Sequence, residues 1–258
     1  MTLIVLSENR DDEDPAHLAL PIADRAMVGI AVGMAIGGKT PIVEVSSSGR
    51  LLAMLEPLAE AASLASDGEF GLQMLLVCPL GDAAGERVDR PVLDTLASIR
   101  GLHVLCASTH GMVEELEQTG LSYGAPTVLF EPRVMPAGER IRHELGREAI
   151  VSRRGQHITL LAYGEGVTAA LQAAHALLDD GIDATVVDLV SLAPLDVQTI
   201  TAEVTATGRV VAIGERAFCQ RVLRTVTRTA FLYLESPPAT AAADATAIAI
   251  AARAAVRF

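Results

Sequence analysis

Residues 21–45 read PIADRAMVGIAVGMAIGGKTPIVEV and join a glycine-rich apolar stretch to a shorter apolar run. Glycine costs about 1 kcal/mol relative to alanine in a helix interior, so its recurrence needs a structural reason. A spacing of four residues places these glycines on one helix face, where a second helix can approach almost to the backbone. The pattern predicts a helix over Arg25–Ile36 with a close-contact face, and then a strand over Ile42–Val45. The glycines of that face are Gly29, Gly33 and Gly37.

A single acid, Asp24, stands just ahead of this helix. An aspartate at a helix start can cap free N–H groups and is favoured by the helix dipole, for about 0.5–2 kcal/mol. The residues alone leave open whether Asp24 caps the helix or serves a functional site.

Apolar runs bounded by turn residues alternate with helical patterns along the rest of the chain, a rhythm that favours parallel α/β architecture. Between Arg133 and Gln156 the composition turns polar and charged, which predicts a domain boundary. We therefore expect an α/β protein with two parallel-sheet domains, over residues 1–135 and 157–258, joined by a linker over residues 136–156. Expected helices include Leu51–Ser66, Pro91–Ser98, Gly166–Leu178 and Arg221–Thr229.

The charge and apolar content of the chain argue against some classes of partner. The 258 residues carry a net charge of −12 and no basic cluster, which argues against a nucleic-acid or anionic-membrane partner. The apolar run Ala26–Ile36 is too short to cross a bilayer, which takes roughly 20 residues. The amino-terminal residues lack the pattern of a signal peptide, so we expect a cytoplasmic protein. Three widely spaced cysteines are expected to be buried, reduced thiols; these are Cys78, Cys106 and Cys219.

Familiar catalytic signatures are missing from the sequence. It contains no G-x-S-x-G elbow, Walker loop, H-E-x-x-H or paired C-x-x-C motif. The glycines of residues 29–38 do not fit the dinucleotide pattern G-x-G-x-x-G. His103 and His175 fall in strand and helix patterns, where a structural role is the simpler interpretation.

The quoted stretch resembles P-I-S-E-x-x-x-x-G-x-A-x-G-A-A-x-x-G-x-x-P-V-x-E of the β subunits of 2-oxo acid dehydrogenase decarboxylases, which are transketolase-like thiamine diphosphate enzymes. The resemblance covers most of the chain in the same order. Further similar segments are IRGLHVLCASTHGMVEEL (99–116), GAPTVLFEP (124–132), ITLLAYGEGVTAALQAAHALLDDGIDATVVDLVSLAPLD (158–196), TGRVVAIGE (207–215) and FLYLESPP (231–238).

The resemblance implies a pyrimidine-binding domain followed by a transketolase C-terminal domain, with thiamine diphosphate lying between chains. An α-type partner would supply the G-D-G motif and asparagine that hold the diphosphate and Mg²⁺, in a heterotetramer. This sequence has no such motif, so no metal ligand is expected within the chain. A lipoyl or acyl carrier protein is a further partner that the resemblance implies.

Several site positions depart from the family pattern. The family's glutamate, which hydrogen-bonds the pyrimidine, falls at Asp24, one methylene shorter. Ser47 and Arg50 stand where aromatic residues are expected to hold the ring, so Asp24, Ser46, Ser47 and Arg50 form the expected cofactor-facing set. The family's H-S-Q loop aligns with GERVDRP, residues 85–91, where Arg87 and Arg90 could bind a substrate anion instead.

Two functions follow from this pattern. The chain could be the β-type subunit of a split thiamine diphosphate enzyme, with Asp24 as catalytic acid. Such an enzyme transfers an acyl or ketol unit from a 2-oxo acid or ketose to a lipoyl or carrier thiol, or to an aldehyde. Alternatively it could be a non-catalytic subunit retained for assembly, because all the expected site features are altered together.

Overall fold

The computed structural model describes residues 3–8, 16–20, 23–68, 70–81, 91–132 and 149–258. Two sheets dominated by parallel strands carry helices packed against them, and this confirms the predicted α/β class. Parallel sheets bury both faces, and their strands here are accordingly near-continuous apolar runs.

The first sheet has seven strands in the order β10-β5-β6-β4-β3-β1-β2. All neighbours within it are parallel except β10, which pairs antiparallel with β5. Its strands are β1 (Leu3–Ser7), β2 (His17–Ala19), β3 (Thr40–Glu44), β4 (Met74–Pro79), β5 (His103–Cys106), β6 (Pro126–Glu131) and β10 (Ser191–Ala193).

Helices α1 to α4 connect the strands of this sheet. A 3-10 turn over Ser48–Met54 precedes α2, where a single helix over Leu51–Ser66 was expected. Pro57 explains the break, because proline lacks the N–H of a helix interior but is tolerated in a first turn. The helices are α1 (Asp24–Ile36), α2 (Leu55–Ser66), α3 (Val92–Leu96) and α4 (Val113–Ser122).

The second sheet has five strands in the order β12-β11-β8-β9-β7, parallel except for β7. Its strands are β7 (Ile150–Arg153), β8 (Ile158–Ala162), β9 (Ala184–Asp188), β11 (Val210–Ile213) and β12 (Ala239–Ala241). Its helices are α5 (Glu165–Leu178), α6 (Val197–Thr207), α7 (Arg216–Ala230) and α8 (Ala245–Arg257).

The predicted domain boundary does not coincide with the division between the two sheets. Strand β10 comes from the second half yet belongs to the first sheet. Strand β7 lies within the segment 136–156 expected to be a linker, and it pairs with β9 of the second sheet. One apolar core joins both halves, with Phe130 of β6 and Phe218 of α7 fully buried in it. The structure is therefore two sheets sharing a continuous interface.

An ion pair bridges α3 and α7 across this interface. The Arg221 Nε donates to the Asp94 Oδ1 at 2.6 Å, and Arg221 also donates to the Asp94 carbonyl at 3.1 Å. Both side chains are less than a third exposed, so the pair is partly shielded from water. These contacts set the position of α7 against the first sheet.

Candidate functional site

The first candidate site lies beyond the carboxyl ends of β1 and β3. These strands are parallel neighbours, so the residues after them emerge at one edge of the sheet. Glu8 follows β1, Ser46 follows β3, and α1 begins there with Asp24. Arg50 enters from the 3-10 turn, where its backbone N–H donates to the Ser47 carbonyl at 3.1 Å. The fold thereby gathers two acids, a serine and an arginine at one edge.

Arg50 joins the two acids at this edge. Its guanidinium pairs with the Asp24 carboxylate through Nη2 and with the Glu8 carboxylate through Nη1. Nη1 also donates to the Ser46 hydroxyl at 3.0 Å. Arg50 and Asp24 are each 20% exposed and Glu8 is 16% exposed. We call Glu8, Asp24, Ser46 and Arg50 the acid–arginine cluster.

Asp24 does not serve as the helix cap. Ala23 holds the N-cap position of α1 and no side chain caps the helix there. The Asp24 carboxylate instead contacts Arg50. Its partial burial raises the pKa of Asp24 above the usual value for aspartate. The carboxylate is thus free of the backbone and directed toward the cluster.

The cofactor-facing residues expected from the sequence come together only in part. Asp24, Ser46 and Arg50 are in mutual contact through Arg50, and Ser46 is exposed. Ser47 is buried and begins the 3-10 turn in extended conformation. Arg87 and Arg90 lie outside the described residues, so their expected contact with a substrate anion stays a prediction.

A second candidate site is a cavity of about 690 Å³ between the two sheets. It lies beyond the carboxyl ends of β8 and β11, adjacent strands whose onward connections run to opposite sides of the second sheet. Ligands of open α/β sheets bind in such crevices. Its lining includes Ser48, Leu80, Val92 and Phe130 of the first half, with Tyr163, Glu165, Glu215, Arg216 and Gln220 of the second. We call it the interdomain cavity.

Tyr163 and Glu215 fix one wall of the interdomain cavity. The Glu215 N–H donates to the Tyr163 hydroxyl at 2.7 Å, and the Tyr163 ring meets the Phe218 ring edge-on with centroids 5.4 Å apart. Gly214 has φ +132°, and a Cβ there would lie 2.4 Å from the Tyr163 oxygen. Only glycine permits this contact. Tyr163 and Glu215 were not among the predicted site residues, although Tyr163 directly follows β8 and Glu215 follows β11 after Gly214.

Glu215 binds the amino end of α3 across the cavity. Its carboxylate oxygens accept from the Leu93 N–H at 3.2 Å and the Asp94 N–H at 3.3 Å. Burial raises the pKa of Glu215, and these two N–H donors oppose the increase. The carboxylate therefore ties the second half of the chain to α3 of the first.

Replacing Glu215 with alanine is expected to lower the free energy of unfolding by about 1–3 kcal/mol, because two half-buried N–H groups lose their acceptor. Urea denaturation followed by circular dichroism measures this. Glu56→Ala is the control, since Glu56 is a highly exposed partner of Arg25 and its loss is expected to cost under about 0.5 kcal/mol. Equal effects of the two substitutions would show that the Glu215 contacts do not stabilise the interface.

A third feature is a buried acid between the sheets. Asp188 at the end of β9 is 2% exposed, and its Oδ2 accepts from the Ser108 hydroxyl at 2.5 Å. Within the described residues its Oδ1 has no hydrogen-bond partner. Burial raises the pKa of Asp188 to about 7, while the Ser108 hydrogen bond opposes the increase. Burial, aided by the nearby Asp188, also raises the pKa of the Cys106 thiol.

The glycine face of α1 points outward. Gly29, Gly33 and Gly37 are exposed, and a Cβ added at Gly29 or Gly33 would meet no atom within 4 Å. Ile30 and Ile36 on the same helix are 39% and 47% exposed, whereas its opposite face is buried against the sheet. Within the described ranges, nothing packs against Gly29 or Gly33 on this smooth apolar face.

The described residues were also searched for metal-binding groups, disulfides and membrane-spanning helices. They contain no group of three or more His, Cys, Asp or Glu side chains suited to a metal ion. The three cysteines are buried, as expected, and no disulfide joins them. His103 stacks on Tyr123 with centroids 4.1 Å apart, consistent with a structural role. Throughout the described ranges, every helix is too short or too polar to cross a membrane.

Known proteins share both a sequence family and the fold with this chain. Residues 147–257 match the family described as Transketolase, C-terminal domain. The solved structure titled "Split gene transketolase, inactive beta4 tetramer" superposes with a TM-score of 0.74 over 99% of this chain and 92% of that chain. Sequence identity to it is 19%, so this likeness shows the fold alone.

Curated relatives extend the similarity to sequence. The pyruvate dehydrogenase E1 component subunit beta of Porphyra purpurea is 30% identical over 77% of this chain and 63% of its own length. That of Acholeplasma laidlawii is 30% identical over 84% of this chain and 71% of its own length. The chain thus spans less than three quarters of either relative. With this identity across most of its residues, the chain belongs to the family of transketolase-like pyruvate dehydrogenase E1 component β subunits.

Proposed function

We propose that this chain is the β-type subunit of a split thiamine diphosphate-dependent enzyme that transfers an acyl or ketol unit from a 2-oxo acid or ketose. The observation that carries the proposal is Asp24, an acid at the start of α1 whose carboxylate faces the acid–arginine cluster instead of capping the helix. Family membership supports the same cofactor. The altered cluster favours a specialised pathway over central metabolism.

The acid fits the aminopyrimidine group of thiamine diphosphate. In the folded chain the Asp24 carboxylate already accepts from a planar, delocalised N–H donor, the Arg50 guanidinium. A pyrimidine ring nitrogen becomes an N–H donor of the same planar, delocalised kind when it is protonated. The chain offers little to hold the faces of the pyrimidine ring, where the family resemblance implies aromatic residues. Residues 44–54 include no aromatic side chain, and Ser46 offers only a hydroxyl. We infer that Asp24 orients the ring and that the partner chain supplies the rest of its enclosure, including the diphosphate and Mg²⁺ ligands.

We therefore infer that this chain contributes one acid, Asp24, and the helix that positions it. Thiamine diphosphate supplies, when bound, the acidic carbon through which acyl and ketol units are transferred. Asp24 would hold a proton between its carboxylate and a ring nitrogen, and α1 would fix its position. Since a displacement of about 1 Å can cost on the order of a hundredfold in rate, the shorter aspartate requires α1 to lie close to the ring. Arg87 and Arg90 are proposed to contact a substrate anion.

The interdomain cavity shares one structural element with this site, the 3-10 turn Ser48–Met54. Ser48 lines the cavity and lies two residues from Arg50 in the same 3-10 turn. Its hydroxyl donates to the Gly81 carbonyl at 3.1 Å, at another part of the lining. An acceptor carried on a long arm, such as a lipoyl or acyl carrier group, fits a cavity of this size. We propose it as the approach for the acceptor.

Reconstitution with the α-type partner tests the proposed function. The full chain, the α-type chain, thiamine diphosphate and Mg²⁺ are mixed and supplied with a panel of 2-oxo acids and ketoses, and product is measured by mass spectrometry. Turnover that requires both chains is expected. No turnover with any substrate, in a complex that assembles and binds cofactor, would refute the catalytic proposal.

A non-catalytic assembly subunit is the second candidate, and the Arg50 contact favours it. With Arg50 on the Asp24 carboxylate, the acid is occupied by the chain itself. Calorimetric titration of the assembled complex separates the two candidates. Tight binding of one thiamine diphosphate for each copy of this chain would eliminate the assembly role.

For assembly we propose the outward face of α1 as the contact with another subunit in a heterotetramer. Gly33→Ala is expected to stabilise the isolated chain by about 0.5–1 kcal/mol, because Ala is the better helix former and the added Cβ meets no atom of the described residues within 4 Å. Gly33→Leu is expected to prevent assembly, since its bulk blocks close helix approach. Denaturation and analytical ultracentrifugation measure the two effects.

Gly71→Ala is the matched control for the α1 face, because Gly71 is exposed, also leaves room for a Cβ and lies outside α1. It is expected to leave assembly intact. Normal assembly of the Gly33→Leu chain would exclude this face from the interface.

A further inference from the structure

Arg50 contacts every other member of the acid–arginine cluster. Its side chain is 20% exposed, and its guanidinium contacts the Asp24 carboxylate, the Glu8 carboxylate and the Ser46 hydroxyl. Guanidinium is planar, permanently charged and presents several N–H donors in a rigid fork. It therefore satisfies the same carboxylate oxygen that a planar N–H ligand needs.

The contact is built into regular elements of the fold. Glu8 and Ser46 follow the parallel neighbours β1 and β3, and Asp24 is the first residue of α1. The 3-10 turn brings Arg50 back to this edge through the hydrogen bond from its N–H to the Ser47 carbonyl. Each partner is thus held in place independently of the ion pair. The arrangement is set by the backbone and needs no ligand to form.

The two ends of the guanidinium are held unequally. Nη1 contacts both Glu8 and Ser46, whereas Nη2 contacts Asp24. If Nη2 leaves Asp24, the contacts of Nη1 can persist, so Arg50 can release one acid while it remains fixed at the other. A pyrimidine N–H that approaches Asp24 has to displace Nη2 first. Displacing a charge-assisted hydrogen bond in a partly buried site costs affinity.

We propose that Arg50 is an internal competitor for Asp24, an autoinhibitory contact that opposes binding of an aminopyrimidine at this acid. The inference rests on the proposed function for the identity of the group that Asp24 would bind. Arg50 takes the place of a ring-holding side chain and blocks the acid that the ring requires. Removal of the guanidinium then opens the site, although it also removes favourable contacts to Glu8.

The first measurement tests the contact itself. A double-mutant cycle with Asp24→Asn, Arg50→Met and the combined variant gives the coupling between the two side chains in the equilibrium constant for unfolding. A coupling of about tenfold is expected for a partly buried ion pair in direct contact. A coupling below about twofold would show that the pair does not form in solution, and the inference would be overturned.

The second measurement is calorimetric titration of thiamine diphosphate with Mg²⁺ into the full chain, alone and with its α-type partner. Arg50→Met is expected to bind at least tenfold more tightly than the unsubstituted chain. Arg25→Met is the matched control, because Arg25 also pairs with a carboxylate beside α1 but is 65% exposed. It is expected to leave the affinity unchanged.

The results separate this inference from the proposed function. Tight binding and turnover by the unsubstituted complex, with weaker binding by Arg50→Met, would uphold the function and overturn the inference. Binding gained only by Arg50→Met would uphold the inference and refute catalysis by the natural chain. An affinity unchanged by Arg50→Met overturns the inference whatever the activity.

Discussion

Asp24→Ala is expected to lower turnover by the reconstituted complex at least a hundredfold while assembly persists. The substitution removes the acid that would hold the ring nitrogen, and loss of a well-positioned proton-transfer group typically costs 10²–10⁴-fold. The side chain caps no helix and lies in no apolar core, so the fold is expected to survive. Steady-state kinetics and analytical ultracentrifugation measure the two quantities.

Asp24→Asn and Asp24→Glu refine this test. The amide keeps the size of the aspartate but loses its charge, and it is expected to be nearly as inactive as the alanine variant. The glutamate restores the carboxylate to the length that the family resemblance implies, and it is expected to retain turnover. Asp67→Asn serves as a control, because Asp67 is exposed at the end of α2. Unchanged turnover in Asp24→Ala would remove Asp24 from the mechanism.

A second large effect is expected in the pH dependence of stability. The pKa of Asp188 rises from an ordinary value of 3.8 to about 7 in the folded chain, mainly through burial. The folded chain therefore holds this proton more tightly than the unfolded chain does. The resulting stabilisation is complete below about pH 4 and is lost as the pH rises through about 7. The difference corresponds to at most about 4 kcal/mol.

Asp188→Asn is expected to remove this loss and to raise the free energy of unfolding at pH 8. The amide carries no charge to bury, and its oxygen can still accept from the Ser108 hydroxyl. Urea denaturation between pH 5 and 8 measures the effect, with Asp67→Asn as the exposed control that keeps the natural pH dependence. A variant destabilised at every pH would show that the Asp188 carboxylate is charged and stabilised in the native chain.

The regular elements could be predicted because their patterns are local. The apolar period of residues 25–36 predicted α1, which begins one residue earlier at Asp24. The apolar run over Ile42–Val45 predicted β3, which begins two residues earlier at Thr40 and ends at Glu44. Helix α7 was expected from Arg221 but begins at Arg216, because Gly214 and Glu215 form the turn at the strand end. Strong periodicity thus fixed the type of element better than its start.

Nonlocal structure could not be predicted from the same patterns. Strand β10 is only three residues long, and it pairs Ser191 with Leu105 and Ala193 with Val104, which lie 86 and 89 residues earlier along the chain. No local signal identifies such a pairing. Strand β7 includes Ser152 and Arg153 of the charged segment SRRG (residues 152–155), and that composition hid the strand.

The candidate site was predicted residue by residue but not as a set of contacts. Asp24, Ser46 and Arg50 were named from their positions along the family resemblance, and all three meet at one edge of the first sheet. The ion pair was not foreseen, because Arg50 was considered only as a missing aromatic. Glu8 was passed over within an acidic run. Which charges meet depends on the register of β1 and β3, and the sequence does not state that register.

Strand β10 has a consequence for dissecting the molecule. It covers the outer side of β5 with a segment from the second half of the chain. A polypeptide truncated near residue 135 would therefore leave the backbone N–H and C=O groups of β5 as a bare sheet border. Such borders recruit strands from neighbouring molecules and aggregate. The first half of the chain is thus not an independently portable module, because its sheet is complete only when residues 191–193 pair with β5.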